Sequence, residues 1–128
     1  MIAIGIGANS RAHKHDFAGA IIEARGEAGG GDVVATFGDA AFAVYVRAAA
    51  HQQSLAYRSL SLEMLRERSD DCLTRSRRTL ALFGVASVAE ASALATAGHG
   101  SHLILPRRII GNITIAAARS PIAKDIRR

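Results

Sequence analysis

Three short stretches of the chain carry residues able to do chemistry. In "SVAE", Ser87 and Glu90 stand three apart at the head of a run of alanines and leucines. That spacing fits a capping box. The serine hydroxyl accepts from an amide in the first helical turn, and the glutamate reaches back to the serine's own N–H. Losing such a cap costs ~1 kcal/mol. The competing role for Glu90 is general acid or base, and it is the one catalytic candidate in the chain. In "LTRSRR", residues 73–78, Thr74 and Ser76 are set among Arg75, Arg77 and Arg78. Guanidinium groups grip carboxylates in bidentate fashion, so this stretch reads either as a carboxylate cradle or as a solvated basic loop. In "GIGANS", residues 5–10, glycines sit where a strand hands over to a helix. Loop amides at such a point can meet an anion, although glycines there equally permit a tight turn. Ser10 occupies the place of the third glycine of a dinucleotide fingerprint, and no Gly-Lys-Ser/Thr follows as in a phosphate-binding P-loop.

Other chemistries find less material. Cys72 follows Asp70 and Asp71, whose charges raise a thiol's pKa rather than activate it. No Gly-x-Ser-x-Gly elbow is present. His99 and His102 have ligand-like spacing, but Gly100 breaks any helix between them, and no carboxylate or cysteine lies close in sequence. His13, His15 and His51 add no third ligand in a recognisable pattern, so water-exposed histidines and no metal are expected.

The elements that must position these groups follow from periodicity. "IAIGI", residues 2–6, reads as a buried strand. A helix begins between Ser10 and Asp16 and places Phe17, Ala20, Ile21, Ala24 and Ala28 at helical spacing, with Asp16 in its first turn. Gly29-Gly30-Gly31 ends it. "DVVATFG" is a second strand. Residues 40–53 are ambiguous, with Phe42, Tyr45, Val46 and Ala49 favouring a helix. "LAYRS", residues 55–59, alternates like a third strand. Ser61 caps "LEMLRERSDD", in which Leu62 and Leu65 face inward. Residues 70–82 read mostly as loop. After the helix opened by Ser87, "HLIL" and "ITIAAA" are two strands joined by "PRRIIGN", which sets Arg107 and Arg108 near the mouth of a hairpin. The expected architecture is α/β: three layers, α/β/α, around a small mixed sheet with a C-terminal antiparallel hairpin.

Composition bounds the rest. The chain has 128 residues, enough for one domain with its own core. It is 49 % hydrophobic but only 5 % aromatic, with no tryptophan, so alanine and other small aliphatics must do the packing. A single cysteine allows no intrachain disulfide and suits a reducing compartment. The N-terminus lacks the basic region of a signal peptide, and no apolar run approaches the roughly 20 residues of a membrane span. A cytoplasmic protein with no membrane association is therefore expected. The formal charge of +5 and pI near 10.3 favour anionic partners. The arginines are grouped at 75–78, 107–108 and 127–128, without the long basic runs interleaved with aromatics that nucleic-acid binders of this size carry.

The order "AIGIGA", "LTRSRR", "GVASVAEASALATAG", "LILPRRIIGNITIAAAR" resembles the cobalamin-biosynthesis family that contains CobE and the C-terminal domain of CbiG, over essentially the whole chain. The resemblance implies an α/β/α unit and a part in building the corrin ring. CbiG proteins open a lactone on a cobalt-containing corrin precursor. Without the domains that precede this unit in CbiG, the chain is similar to the free-standing CobE. Precorrins are flat polyanions bearing acetate and propionate arms. The expectation is therefore a cleft lined by Gly5, Gly7, Asn9, Thr74, Arg75, Ser76, Ser87, Glu90, Arg107 and Arg108, binding a precorrin as an accessory or carrier protein without a cofactor. Other cobalamin-pathway enzymes are possible partners. A hydrolase acting on a precorrin lactone, and more remotely a basic nucleic-acid module, are the alternatives.

Overall fold

The structure is a computed structural model and describes residues 1–121. The arginine pair at 127–128 lies outside the described residues. Five strands and five helices follow in the order β1 (Ile2–Ala8), α1 (Asp16–Ala28), β2 (Val33–Phe37), α2 (Ala43–Gln52), β3 (Ala56–Leu60), α3 (Leu62–Glu67), α4 (Arg77–Phe83), α5 (Val88–Ala97), β4 (His102–Ile110) and β5 (Ile113–Arg119). The strands form one mixed sheet in the order β3-β2-β1-β5-β4. The pairs β1–β2 and β2–β3 are parallel, whereas β5 runs antiparallel to both β1 and β4. The expected three layers are present.

Side-chain alternation along β1 decides what lies on each face. Ile4 and Ile6 point toward α1 and α2, where they join Phe17, Ile21, Val46 and Ile115 in the larger core. Ala3, with Gly5 and Gly7 in the same phase, points toward α5. There Ala3, Ala118, Ala93, Leu94 and Ala97 pack together, and Ala35, Leu60, Leu65 and Ala91 continue the layer toward α3. Along β1 one face thus carries large aliphatics and the other only alanine and glycine. A helix packed on small residues can come close to the sheet, and α5 does. Eight of its ten residues are buried, including the charged Glu90.

Most helix ends follow local rules. Ser61 Oγ accepts from Met64 N at 3.2 Å, and Asp16 opens α1. Gly29 closes α1 at φ 78°, a left-handed conformation that glycine adopts without penalty. Two segments depart from expectation. Residues 70–82 are not mostly loop: a 3-10 turn at Ser69–Asp71 leads to α4, capped by Ser76 Oγ on Thr79 N and ended by Gly84 at φ 70°. The basic composition hid a helix that buries none of its residues, so no apolar stripe announced it. Nor is "PRRII" a connection, because β4 runs through Pro106 to Ile110 and only Gly111-Asn112 turn. Pro106 is tolerated because β4 is an edge strand with irregular pairing. Among the described residues no single helix is long and apolar enough to cross a membrane.

Candidate functional site

The site grows from the absence of side chains at Gly5 and Gly7. A Cβ at Gly5 would overlap the Ala89 carbonyl oxygen and lie 2.7 Å from Ala93 N; at Gly7 it would lie 2.6 Å from Thr114 Oγ1. Only glycine lets the first turn of α5 settle on β1, which brings Ser87 beside the C-terminal end of that strand. Ser87 is extended (φ −151°, ψ 119°), and its hydroxyl accepts from Glu90 N at 3.2 Å, so the serine half of the capping box is present.

The glutamate half is not. Instead of turning back to Ser87 N–H, the Glu90 carboxylate reaches away from its own helix and accepts from three backbone amides. Leu73 N and Thr74 N each donate to Oε1 at 2.9 Å, and Arg107 N donates to Oε2 at 2.8 Å. Glu90 is 0 % exposed. A wholly buried carboxylate needs such partners to offset its lost hydration, and bonds to a charged acceptor contribute roughly 1.5–3 kcal/mol each. The capping-box expectation fails because two loops bring unpaired amides within reach. Both oxygens of Glu90 are engaged by main chain, and Glu90 is not among the residues that line the neighbouring cleft.

Beyond this knot lies a cleft of about 370 Å³ at the C-terminal ends of β1 and β2. One wall is the end of β1 and the loop after it, with Gly7, Ala8, Asn9 and Ser10. The opposite wall is α4, with Ser76, Arg78, Thr79, Leu82 and Phe83. Ser87 and Val88 open α5 at the base, and Arg107, Ile109, Asn112 and Thr114 close the hairpin side. Phe37 and Phe42 complete an apolar bed, and Phe37 meets Phe83 edge-on with ring centroids 5.8 Å apart. Leu82 and Ile109 are 60 % and 61 % exposed, unusually open for large apolar side chains, and both face this cleft. Among the described residues neither Arg78 nor Arg107 forms an ion pair. Among the described residues the lining has no aspartate, glutamate, histidine, cysteine or lysine.

Of the residues expected to line one cleft, Gly7, Asn9, Ser76, Ser87 and Arg107 do so. The others do not. Gly5 is covered by α5, and Glu90 and Thr74 are tied together behind the wall. Arg75 is exposed outside the lining. Arg108 points the other way along the alternating strand, to the carboxylates of Glu23 and Glu27 on α1. Adjacent arginines in a strand face opposite sides, so only one of the pair could belong to the cleft. Several side chains on the cleft also have local duties. Ser76 Oγ takes Thr79 N and Thr79 Oγ1, and Asn9 Nδ2 donates to Asn112 Oδ1 at 3.0 Å, tying β1 to the hairpin turn.

Sequence reasoning grouped Arg78 with a candidate carboxylate cradle but left it out of the expected lining, and it missed Thr79 and Leu82, read as loop, and Phe83 just after them. The signal was present in Ser76-x-x-Thr79 followed by Leu80, Leu82, Phe83 and Gly84. Cys72 is held as a neutral thiol: burial first, then the neighbouring Glu90 carboxylate, push its pKa to about 11. Asp71 adds a smaller push, so the expected direction is right while its main cause is different. All five histidines are exposed, and among the described residues no three His, Cys, Asp or Glu side chains cluster as a metal site would need.

No curated protein matches the chain. Solved structures resemble it closely, among them two from cobalamin biosynthesis. One is CobE, described as a protein from the cobalamin (vitamin B12) biosynthetic pathway, with a TM-score of 0.82 and 26 % identity over 94 % of this chain and 91 % of that one. The other is the cobalamin biosynthesis protein chiG from Agrobacterium tumefaciens strain C58, with a TM-score of 0.76 and 31 % identity over 95 % and 100 %. Residues 2–118 match the family described as Cobalamin synthesis G C-terminus. With nearly the whole chain matched and the same fold in both relatives, this protein belongs to that family of cobalamin biosynthesis proteins.

Proposed function

We propose that the cleft binds an anionic corrin-ring intermediate and that the protein acts on the pathway as an accessory or carrier. The observation that carries this reading is the pairing, among the described residues, of an apolar bed with two arginines free of ion pairs and a lining without any carboxylate. A precorrin offers the complement: a flat apolar macrocycle edged with carboxylates. The cleft's volume lies at the low end of the roughly 300–1,000 Å³ usual for small-molecule pockets. A corrin with all its arms is larger, so it would rest with one edge in the cleft and the remainder in reach of another protein. That suits transfer better than enclosure.

Lactone opening by this chain has weaker support, because the described lining residues supply no carboxylate or imidazole to move a proton. The test is an absorbance titration with a polycarboxylate corrin, alongside its fully amidated counterpart. Arg107→Ala should weaken binding of the polycarboxylate about tenfold, the worth of one charge-assisted contact. Arg108→Ala should change it by less than about twofold, since that guanidinium is engaged with α1. Equal affinity of the wild-type and Arg107→Ala proteins, or equal binding of the amidated corrin, refutes the reading. Conversion of a lactone-bearing precursor to its ring-opened product by the pure chain would replace it with the hydrolase.

A further inference from the structure

Glu90 is a buried charged group that the proposed binding does not use directly, and its three partners are not scattered. Leu73 and Thr74 lie just before Ser76, the cap of α4, which carries Arg78 on one wall of the cleft. Arg107 sits on β4, on the hairpin side. Glu90 itself is one turn into α5, whose start forms the base. One carboxylate therefore joins three separate pieces of main chain that surround the cleft.

The fold prepares each amide for this. Between Leu105 and Arg108 strand β4 advances three residues while β5 advances two, from Ala117 to Ile115. The extra residue is a bulge, a device that releases an amide from the ladder and re-aims a side chain. It leaves Arg107 N–H free for Glu90. Helix α4 has no fully buried residue; Phe83 at its end packs on the cluster around Leu60 and Leu65, and hydrogen bonds at both ends fix the rest of its place. Arg66 Nε holds the Phe83 carbonyl at 2.8 Å at one end, and Glu90 holds residues 73 and 74 ahead of the other.

We infer that Glu90 is a positioning residue for the cleft, setting the distance between Arg107 on β4 and Arg78 on α4 through the main-chain amides of Leu73, Thr74 and Arg107. This deepens the reading of the cleft as a polyanion site and rests on it. A rim held at one spacing meets a rigid macrocycle with its guanidinium groups already placed, which lowers the ordering cost of binding.

The test is Glu90→Gln. Glutamine keeps the shape; with its oxygen on the two amides of Leu73 and Thr74, its NH2 meets Arg107 N–H, donor against donor, so the β4 wall is released. Affinity for a polycarboxylate corrin should fall at least about tenfold. In that background Arg107→Ala should add less than about twofold, because a displaced Arg107 has little left to lose. Amide hydrogen exchange at Leu73, Thr74 or Arg107 should accelerate while the α1 and α2 core stays protected. Undiminished affinity of Glu90→Gln, or the full Arg107→Ala loss in both backgrounds, overturns the positioning role and leaves the cleft reading standing. Failure of the wild-type protein to bind the corrin overturns both. If Glu90→Gln does not fold, Glu90→Asp keeps the charge on an arm too short to span both walls. It too should lose affinity, and full affinity of a folded Glu90→Asp protein overturns the inference.

Discussion

Replacing Gly5 with alanine adds one methyl group at the tightest place in the molecule. The new Cβ would overlap the Ala89 carbonyl oxygen and lie 2.7 Å from Ala93 N. Both obstacles are backbone of α5, so neither can rotate away as a side-chain tip could. Reaching an ordinary 3.4 Å at Ala93 alone requires the helix to withdraw by about 0.7 Å. A gap of that size forfeits roughly a quarter to a half of each dispersion contact along the interface. Here the interface is the small-residue layer of Ala3, Ala93, Leu94, Ala97 and Ala118. Overpacking of this kind costs about 1–3 kcal/mol, and a clash with backbone belongs at or above the top of that range. For a chain of this length about 3 kcal/mol lowers the melting temperature by roughly 10 °C. Circular dichroism on heating measures it, with Gly26→Ala as the internal control. Gly26 lies on α1 with open space around its would-be Cβ, so the same change there should stabilise by about 0.5–1 kcal/mol. A melting temperature for Gly5→Ala at or above wild type would refute the close approach of α5 to β1, and with it the account of how Ser87 and Glu90 reach the site.

The remaining predictions concern charge at the same helix. Arg68 donates to the Leu94 and Gly98 carbonyls at 3.0 and 2.9 Å and to both oxygens of Ser101, holding the C-terminal end of α5. Arg68→Lys keeps the charge but loses the fork, so urea unfolding should show about 2 kcal/mol less stability with an unchanged slope; no change would show the fork to be dispensable. Cys72 should resist alkylation until the pH approaches about 11, its folded value, and Glu90→Gln should bring that midpoint down by removing a neighbouring negative charge while burial still holds it up. A midpoint unmoved by Glu90→Gln would mean that the carboxylate does not act on the thiol. The direction for stability follows from the same shift. The thiol's pKa is raised on folding, so the unfolded chain releases its proton first, and this group's contribution to stability declines as pH rises above about 9.

Much of the local structure was legible because it depends on neighbours in sequence. Ser61 caps α3, Asp16 opens α1, and Gly29 closes it, each within one turn of the residues it serves. The alternation of Ile4 and Ile6 with Ala3, Gly5 and Gly7 already separated a large-residue face from a small-residue one. Helix α4 was harder to read, since a helix with no buried residue carries no stripe, and only its caps marked it. Strand β4 hid its extent because proline and paired arginines resemble a loop, and an edge strand with bulges can hold them.

What the sequence by itself determined was the order of the strands and of every helix but α4, the family resemblance, the nearness of a serine cap to a glycine-lined strand, and a basic character suited to polyanions. Only the tertiary structure decided which of two adjacent arginines serves the cleft. Strand geometry sends Arg107 to one face and Arg108 to Glu23 and Glu27 on the other. It alone turned Glu90 from a helix cap into a tie between two walls. The reason is physical: a capping box is a contact between residues three apart, readable from spacing, whereas a buried carboxylate takes whichever unpaired amides the fold delivers. Those came from residues 16 and 17 positions away on either side.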